Sequence, residues 1–206
     1  MSLRIAALVS GSGSNLQAIL DACAQGRIDG EVVLVLSNRT DAFALERARR
    51  AGVPTEVLDH KNFASREAFD SEIVDRLRTV RADTVVLAGF MRIVTPVLLS
   101  AFTDRVINVH PSLLPSFAGT HAQAQALAYG AKIAGCTVHF VDEGVDSGPI
   151  IAQAAVDVFD TDTEESLRDR ILREEHRILP LALSWLAEGR LLREGRLVRV
   201  SKSKPK

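Results

Sequence analysis

The chain has 206 residues, 47% hydrophobic and 25% charged, with 25 basic residues against 26 acidic ones and a formal net charge of −1. A chain of this length can bury a sizeable core, expected as a single domain over 1–206, and its balanced charge gives no global attraction to nucleic acid or to a membrane surface. Two cysteines, Cys23 and Cys136, are too few for a disulfide framework, no apolar run approaches the ~20 residues of a membrane span, and "MSLRIAALVSGSG" carries no signal peptide, so a cytoplasmic protein with buried free thiols is expected.

Continuous apolar runs at 3–9, 32–36, 84–90 and 105–109 read as strands covered on both faces. Residues 14–25 place Leu16, Ile19, Leu20 and Cys23 on one helical face; Ser14 and Gln17 have capping-box spacing, and Gly26 fits the helix end. Residues 65–80 align Phe69, Ile73, Leu77 and Val80 on a second helix. This alternation predicts an α/β protein with a Rossmann-like, doubly wound, mainly parallel sheet and helices on both faces. After Asn108 the chain becomes rich in loops. Strands are expected at 134–141 and 150–158, a helix from about 163 to 187 with a kink at Pro180, and two short strands about Glu194-Gly195. The tail, 201–206, reads as a flexible terminus.

The loop "SGSGSN" joins the first strand to the first helix, where backbone N–H groups favour an anion. A dinucleotide fingerprint fits poorly, because Leu16 stands at the third small position and "LSNRT" lacks the acid expected after the second strand. A monophosphate held by Gly11, Ser12, Gly13, Ser14 and Asn15 fits better; a plain glycine turn is the structural alternative.

Asn108 and His110 end the fourth strand two residues apart, so alternation sends both side chains to one side, and Pro111 stops the strand there. Their alternative role is to bond a turn. The loop "VDEGVDSGP" carries Asp142, Glu143 and Asp146, which can be a solvated turn, but a carboxylate beside His110 would orient the ring and support a positive charge on it. The acidic spacing is not that of an EF-hand, and Cys136 and His139, three apart on a strand, face opposite sides and share no zinc. No nucleophile elbow surrounds Ser10 or Ser12, which favours direct transfer between two substrates over a covalent intermediate. In the long helix, Glu174 or Glu175 must lie near the apolar stripe of Leu167, Ile171, Ile178, Ala182 and Trp185, either meeting a ligand or pairing with Arg173 or Arg177.

Taken together, "SGSGSNLQAI", "SNRTDAFALERAR", "SREAFD", "VLAGFMRI", "NVHPSLLPSFAG", "CTVHFVDEGVDSGPIIAQ" and "EEHRILP" resemble the phosphoribosylglycinamide formyltransferases of purine biosynthesis, over about residues 3 to 200. The resemblance implies a ribonucleotide-binding half over about 1–108 and a folate-binding half over about 109–200. It implies two small-molecule substrates, 10-formyltetrahydrofolate and glycinamide ribonucleotide, with no metal, in a monomer or homodimer. Gly13, Ser14 and Asn15 would hold the phosphate, and Glu175 the ribose. Arg66, Met91, Arg92, Val94 and the loop Asp142, Glu143, Gly144, Val145 and Asp146 would line the folate site together with Asn108. Asn108, His110 and Asp146 match the family's catalytic trio and would stabilise a tetrahedral oxyanion.

This chain departs from the family at Ala118, where a proline is common, at Gln123, near which a second histidine is common, and at Leu172, where some members carry a polar residue. The segment 116–125 is therefore expected to differ locally. Among related activities, methionyl-tRNA formyltransferase would need an RNA-binding domain, whereas about twenty residues follow the long helix here and no basic patch is visible. A formyl-tetrahydrofolate hydrolase would use water as acceptor, and a non-catalytic phosphosugar-binding module would need the glycine loop but not His110.

Overall fold

The computed structural model describes residues 2–202. Its elements run β1 (Leu3–Val9), α1 (Ser14–Ala24), β2 (Gly30–Ser37), α2 (Phe43–Arg50), β3 (Thr55–Val57), α3 (Arg66–Thr79), β4 (Thr84–Leu87), α4 (Pro96–Ala101), β5 (Val106–His110), α5 (Ala122–Tyr129), β6 (Ile133–Phe140), β7 (Ile150–Asp157), α6 (Glu164–Ala187), β8 (Leu191–Glu194) and β9 (Leu197–Val200). β1 to β7 form one sheet in the order β3-β2-β1-β4-β5-β6-β7, and β8 and β9 form a separate hairpin. The pairs from β3 to β5 are parallel; β6 and β7 join antiparallel.

Strand alternation explains the unbroken apolar runs. In β1, Leu3, Ile5, Ala7 and Val9 enter a core beneath α1, α2 and α6, while Ala6 and Leu8 enter a second core beneath α3 and α4. Val86 and Val85 of β4 divide in the same way. Both faces are covered, so both sets of positions must be apolar. Each fully buried aliphatic side chain contributes about 1.5–3 kcal/mol of transfer free energy.

Several details differ from the sequence expectations. β4 ends at Leu87 rather than at residue 90, because the chain turns at Gly89, whose φ is +76°. α1 has no capping box at Ser14 and Gln17: its N-cap is Gly13, at φ +72°, without a side-chain cap, and the Gln17 amide donates to Asp21 instead. A Cβ at residue 13 would stand 2.5 Å from the Cβ of Ala44, so close approach to α2 also requires glycine here. The capping box of this chain lies at α6, between Thr163 and Ser166. α6 does run from Glu164 through Pro180 to Ala187, as expected. The short elements β3, α2, α4 and α5 supply too few periodic residues to be placed from pattern alone. Residues 203–206 of the expected flexible tail lie outside the described residues. Among the described residues, no helix is long and apolar enough to cross a membrane.

Candidate functional site

The strand order reverses between β1 and β4, and the carboxyl ends of parallel strands open there as a ligand crevice. The Ser10 backbone N–H donates to the Gly89 carbonyl at 3.1 Å. The Ser10 hydroxyl donates to Asn38 Oδ1 at 2.6 Å and accepts from Met91 N at 2.9 Å, so the glycine loop and the loop after β4 are tied together. Asp70 of α3, buried, accepts from both the backbone N–H and the hydroxyl of Thr95, at 2.5 and 2.8 Å. That anchors the segment carrying Met91, Arg92 and Val94. Burial raises the Asp70 carboxyl above its ordinary value, opposed by the two Thr95 bonds.

The structure brings Asn108, His110 and Asp146 together. His110 Nδ1 lies 3.2 Å from Asp146 Oδ2, and the Asn108 amide donates to Asp146 Oδ1 at 3.4 Å. Asp146 holds a left-handed φ of +50° and also accepts from the Gly119 backbone N–H at 2.9 Å. His110 Nε2 lies 3.0 Å from the Phe117 carbonyl. Both ring nitrogens therefore face oxygen atoms.

Sequence reasoning missed three partners of this trio, among them the Gly119 N–H that bonds Asp146. The Phe117 carbonyl reaches the ring because the segment carrying the departures at Ala118 and Gln123 folds over it, with Phe117, Gly119 and His121 all at positive φ. The third is His139, opposite Asn108 in the antiparallel β5–β6 pair. Its Nδ1 donates to the Phe140 carbonyl at 2.8 Å, which leaves Nε2 to accept from the Asn108 amide at 3.2 Å. Burial holds the His139 pKa below its ordinary value, consistent with this neutral acceptor. A search for pairs across adjacent strands could have found it; comparison with Cys136 alone could not. Cys136 packs into the apolar core, as its place on the opposite strand face requires.

A cavity of about 770 Å³ opens beside the trio, lined among others by Arg66, Met91, Arg92, Asn108, His110 and Asp146. Gln123 and His121 also line it. Arg92 Nε is buried without a hydrogen-bond partner among the described residues. A smaller cavity of about 100 Å³ is lined by Val94, His139, Asp142, Gly144 and Val145 together with Arg92, Asn108 and Asp146. Glu143 is exposed and lines neither.

On the other side of the sheet crevice, Glu175 is the carboxylate that faces inward. It is buried and accepts from the Asn15 amide at 2.7 Å, which joins α6 to the start of α1. Burial raises its pKa, with the Asn15 bond opposing. The ion pair expected as an alternative belongs to Glu174, 2.6 Å from Arg177. Asn15 Oδ1 and His176 Nε2 are buried without hydrogen-bond partners among the described residues. Ser14, Gln17, Arg47 and His176 line a groove of about 380 Å³ along α1. Arg47 donates to the Ser12 carbonyl at 2.8 Å, and the His176 pKa is lowered first by burial and then by the Arg47 charge. Gly11, Ser12, Gly13, Asn15 and Glu175 line none of these three cavities; of the glycine loop only Ser14 does. Arg47 and His176 carried no local signal in the sequence, because the packing of α1 against α2 and α6 is what brings them to one groove.

The sequence pattern of the formyl transferase family matches residues 3–183. The chain is 49% identical over 189 residues to the phosphoribosylglycinamide formyltransferase of Escherichia coli (strain K12), covering 92% of this chain and 89% of that one. It is 50% identical over 192 residues to the trifunctional purine biosynthetic protein adenosine-3 of Drosophila melanogaster, covering 92% of this chain but 14% of that longer protein. Among solved structures, it is similar to glycinamide ribonucleotide transformylase 1 from Symbiobacterium toebii, with a TM-score of 0.96 and 58% identity, over 97% of this chain and 94% of that one.

Proposed function

Because the chain belongs to the formyl transferase family, we propose that it transfers the formyl group of 10-formyltetrahydrofolate to the primary amine of glycinamide ribonucleotide, a step of purine synthesis. The observation that carries this reading is the meeting of Asn108, His110 and Asp146 in the wall of a large cavity, at the same sheet edge as the glycine loop. The chain's residues fit both substrates. An unpaired, buried Arg92 Nε is costly unless a ligand satisfies it, and a folate carboxylate is suited to do so. Arg66, Met91, Val94 and the loop residues Asp142, Gly144, Val145 and Asp146 line the remaining folate side, while Glu143 stays exposed at its edge. The N–H groups of the α1 first turn have no helical partners and suit a phosphate, with Gly11, Ser12, Gly13, Ser14 and Asn15 around it. Arg47 supplies positive charge where Leu172 supplies none, the neutral His176 beside it offers a hydrogen-bonding nitrogen, and Glu175 accepts from ribose hydroxyls.

In the reaction the amine nitrogen bonds to the formyl carbon, the carbonyl electron pair moves to oxygen, and the bond from that carbon to the folate N10 then breaks. One proton passes from the attacking nitrogen to N10. His110 Nε2, which faces the Phe117 carbonyl in this structure, donates to the developing oxyanion. Asp146 orients the ring and supports its positive charge. His139 fixes the direction of the Asn108 amide. Holding both substrates in one crevice supplies proximity. The two free thiols suit a reducing compartment, the cytoplasm.

The test is folate product formation from 10-formyltetrahydrofolate with and without glycinamide ribonucleotide, in metal chelator. Release that requires the ribonucleotide and yields its formylated form supports the transferase. Equal release without it, with formate as product, makes the protein a hydrolase.

A further inference from the structure

We propose that the β8–β9 hairpin is part of the folate site's architecture, with Arg196 acting as a positioning residue for the loop that carries Asp146. This inference rests on the folate reading above. The hairpin lies beyond the residues that the family pattern matches.

The loop from Asp142 to Gly148 is tightly folded on itself. Asp142 Oδ1 accepts from the Gly144 N–H at 3.1 Å and from the Ser147 hydroxyl at 2.6 Å. A Cβ at residue 148 would stand 1.8 Å from the Phe140 carbonyl oxygen, so the exit of the loop tolerates only glycine. Within it, Asp146 is held at a positive φ, a conformation a non-glycine residue keeps only where its surroundings enforce it. One enforcing contact comes from outside: the Arg196 guanidinium donates to the Ser147 carbonyl at 2.9 Å, across 49 residues of sequence. It grips the carbonyl of Ser147, the residue next to Asp146.

The hairpin is a firm platform for that grip. Leu191 and Val198 pack against the main core. Its base closes through Ser201 N to the Arg190 carbonyl at 2.9 Å and Arg190 Nε to the Ser201 carbonyl at 2.6 Å. Arg193 pairs with Asp104, just before β5, and the register places Arg196 at the turn between Glu194 and Leu197. The hairpin thus bridges the entry to the strand bearing Asn108 and His110 and the loop bearing Asp146. Releasing Arg196 lowers the fraction of molecules in which the loop is seated, and apparent folate affinity falls with that fraction.

The experiment compares wild type, Arg196→Ala and Arg196→Lys, in steady-state kinetics and in calorimetric titration with tetrahydrofolate alone. The expected result for Arg196→Ala is a rise of roughly 3- to 10-fold in the folate KM and Kd, with the ribonucleotide KM and thermal midpoint unchanged and kcat reduced far less, since saturating folate reseats the loop. Arg196→Lys, which keeps a cationic donor, recovers part of the loss. Unchanged folate affinity in Arg196→Ala overturns the inference, as does an equal rise in both KM values, which marks general loosening. A wild type that binds tetrahydrofolate but transfers no formyl group defeats the proposed reaction and leaves the affinity comparison to judge Arg196. A wild type that binds no folate overturns both.

Discussion

Asn108 and His139 face one another across the β5–β6 pair, amide nitrogen to imidazole Nε2 at 3.2 Å. The histidine is neutral because its burial opposes charge, and it can accept because its other nitrogen already donates to the Phe140 carbonyl. Replacing it by alanine leaves an Asn108 hydrogen without its acceptor, at a cost of about 1–3 kcal/mol, and lets the amide rotate. His139→Ala is therefore expected to lower both the urea midpoint and kcat. The folded-state pKa lies below the ordinary 6.5, so the neutral ring's contribution to stability is complete above pH 6.5 and is lost as pH falls from there toward the folded value. Urea midpoints of wild type and His139→Gln across that range check this; equal acid slopes in the two proteins would refute the assignment.

Asp146 holds three partners at once: His110, Asn108 and the Gly119 N–H. Asp146→Asn keeps the size but removes the charge that supports a protonated His110, and one of its two terminal atoms becomes a donor. Turnover is expected to fall roughly 10²-fold or more while the fold survives. Circular dichroism and steady-state kinetics decide this, and near-normal turnover would remove Asp146 from the mechanism.

Glu175 gives a prediction in which stability and function separate. Its raised pKa favours the protonated form in the folded state, so that contribution is present below the ordinary 4.5 and is lost as pH rises through the folded value. Glu175→Gln keeps a neutral group there, and its new amide can donate to the unpaired Asn15 Oδ1. The variant should gain stability relative to wild type as pH rises above 4.5, while the ribonucleotide KM rises roughly tenfold because a carboxyl oxygen that accepts from the ribose is replaced by an amide. Thermal midpoints on both sides of neutrality, read beside KM, test the pair of effects.

Arg47→Ala tests the charge at the phosphate end. The ribonucleotide KM should rise roughly tenfold with the folate KM unchanged, since a charge-assisted contact is removed from one substrate alone. A rise in the folate KM instead would place the phosphate elsewhere.

Gly13→Ala combines a positive φ with a Cβ pressed against Ala44. The conformational and overpacking terms together predict a loss of about 2–4 kcal/mol, and weaker ribonucleotide binding because α1 must move away from α2. Denaturant unfolding of the variant measures the first and calorimetry the second.

Much of this molecule could be read from the chain because local rules were enough. The runs at 3–9 and 105–109 had to be strands buried on both faces, since no other short element requires an unbroken apolar series. The two-residue spacing of Asn108 and His110 fixed their convergence, and the helical stripe of α6 fixed that one of its two neighbouring glutamates faced inward. Where the expectation failed, a distant contact had overruled a local rule. The N-cap of α1 is Gly13, and Ala44 leaves no room there for the capping side chain that a local rule favours.

Local residue pattern set the alternation of strands and helices, the residue types at the crevice, and the glycines that let the chain turn. Which groups meet there followed from how the chain packs. It set Asn15 against Glu175, His139 against Asn108, and the Phe117 carbonyl on His110. Periodicity acts through neighbours three or four residues away, and it places side chains on faces. Partnership between faces depends on strand register and on the return path of long loops, which are set by the packing of the whole core.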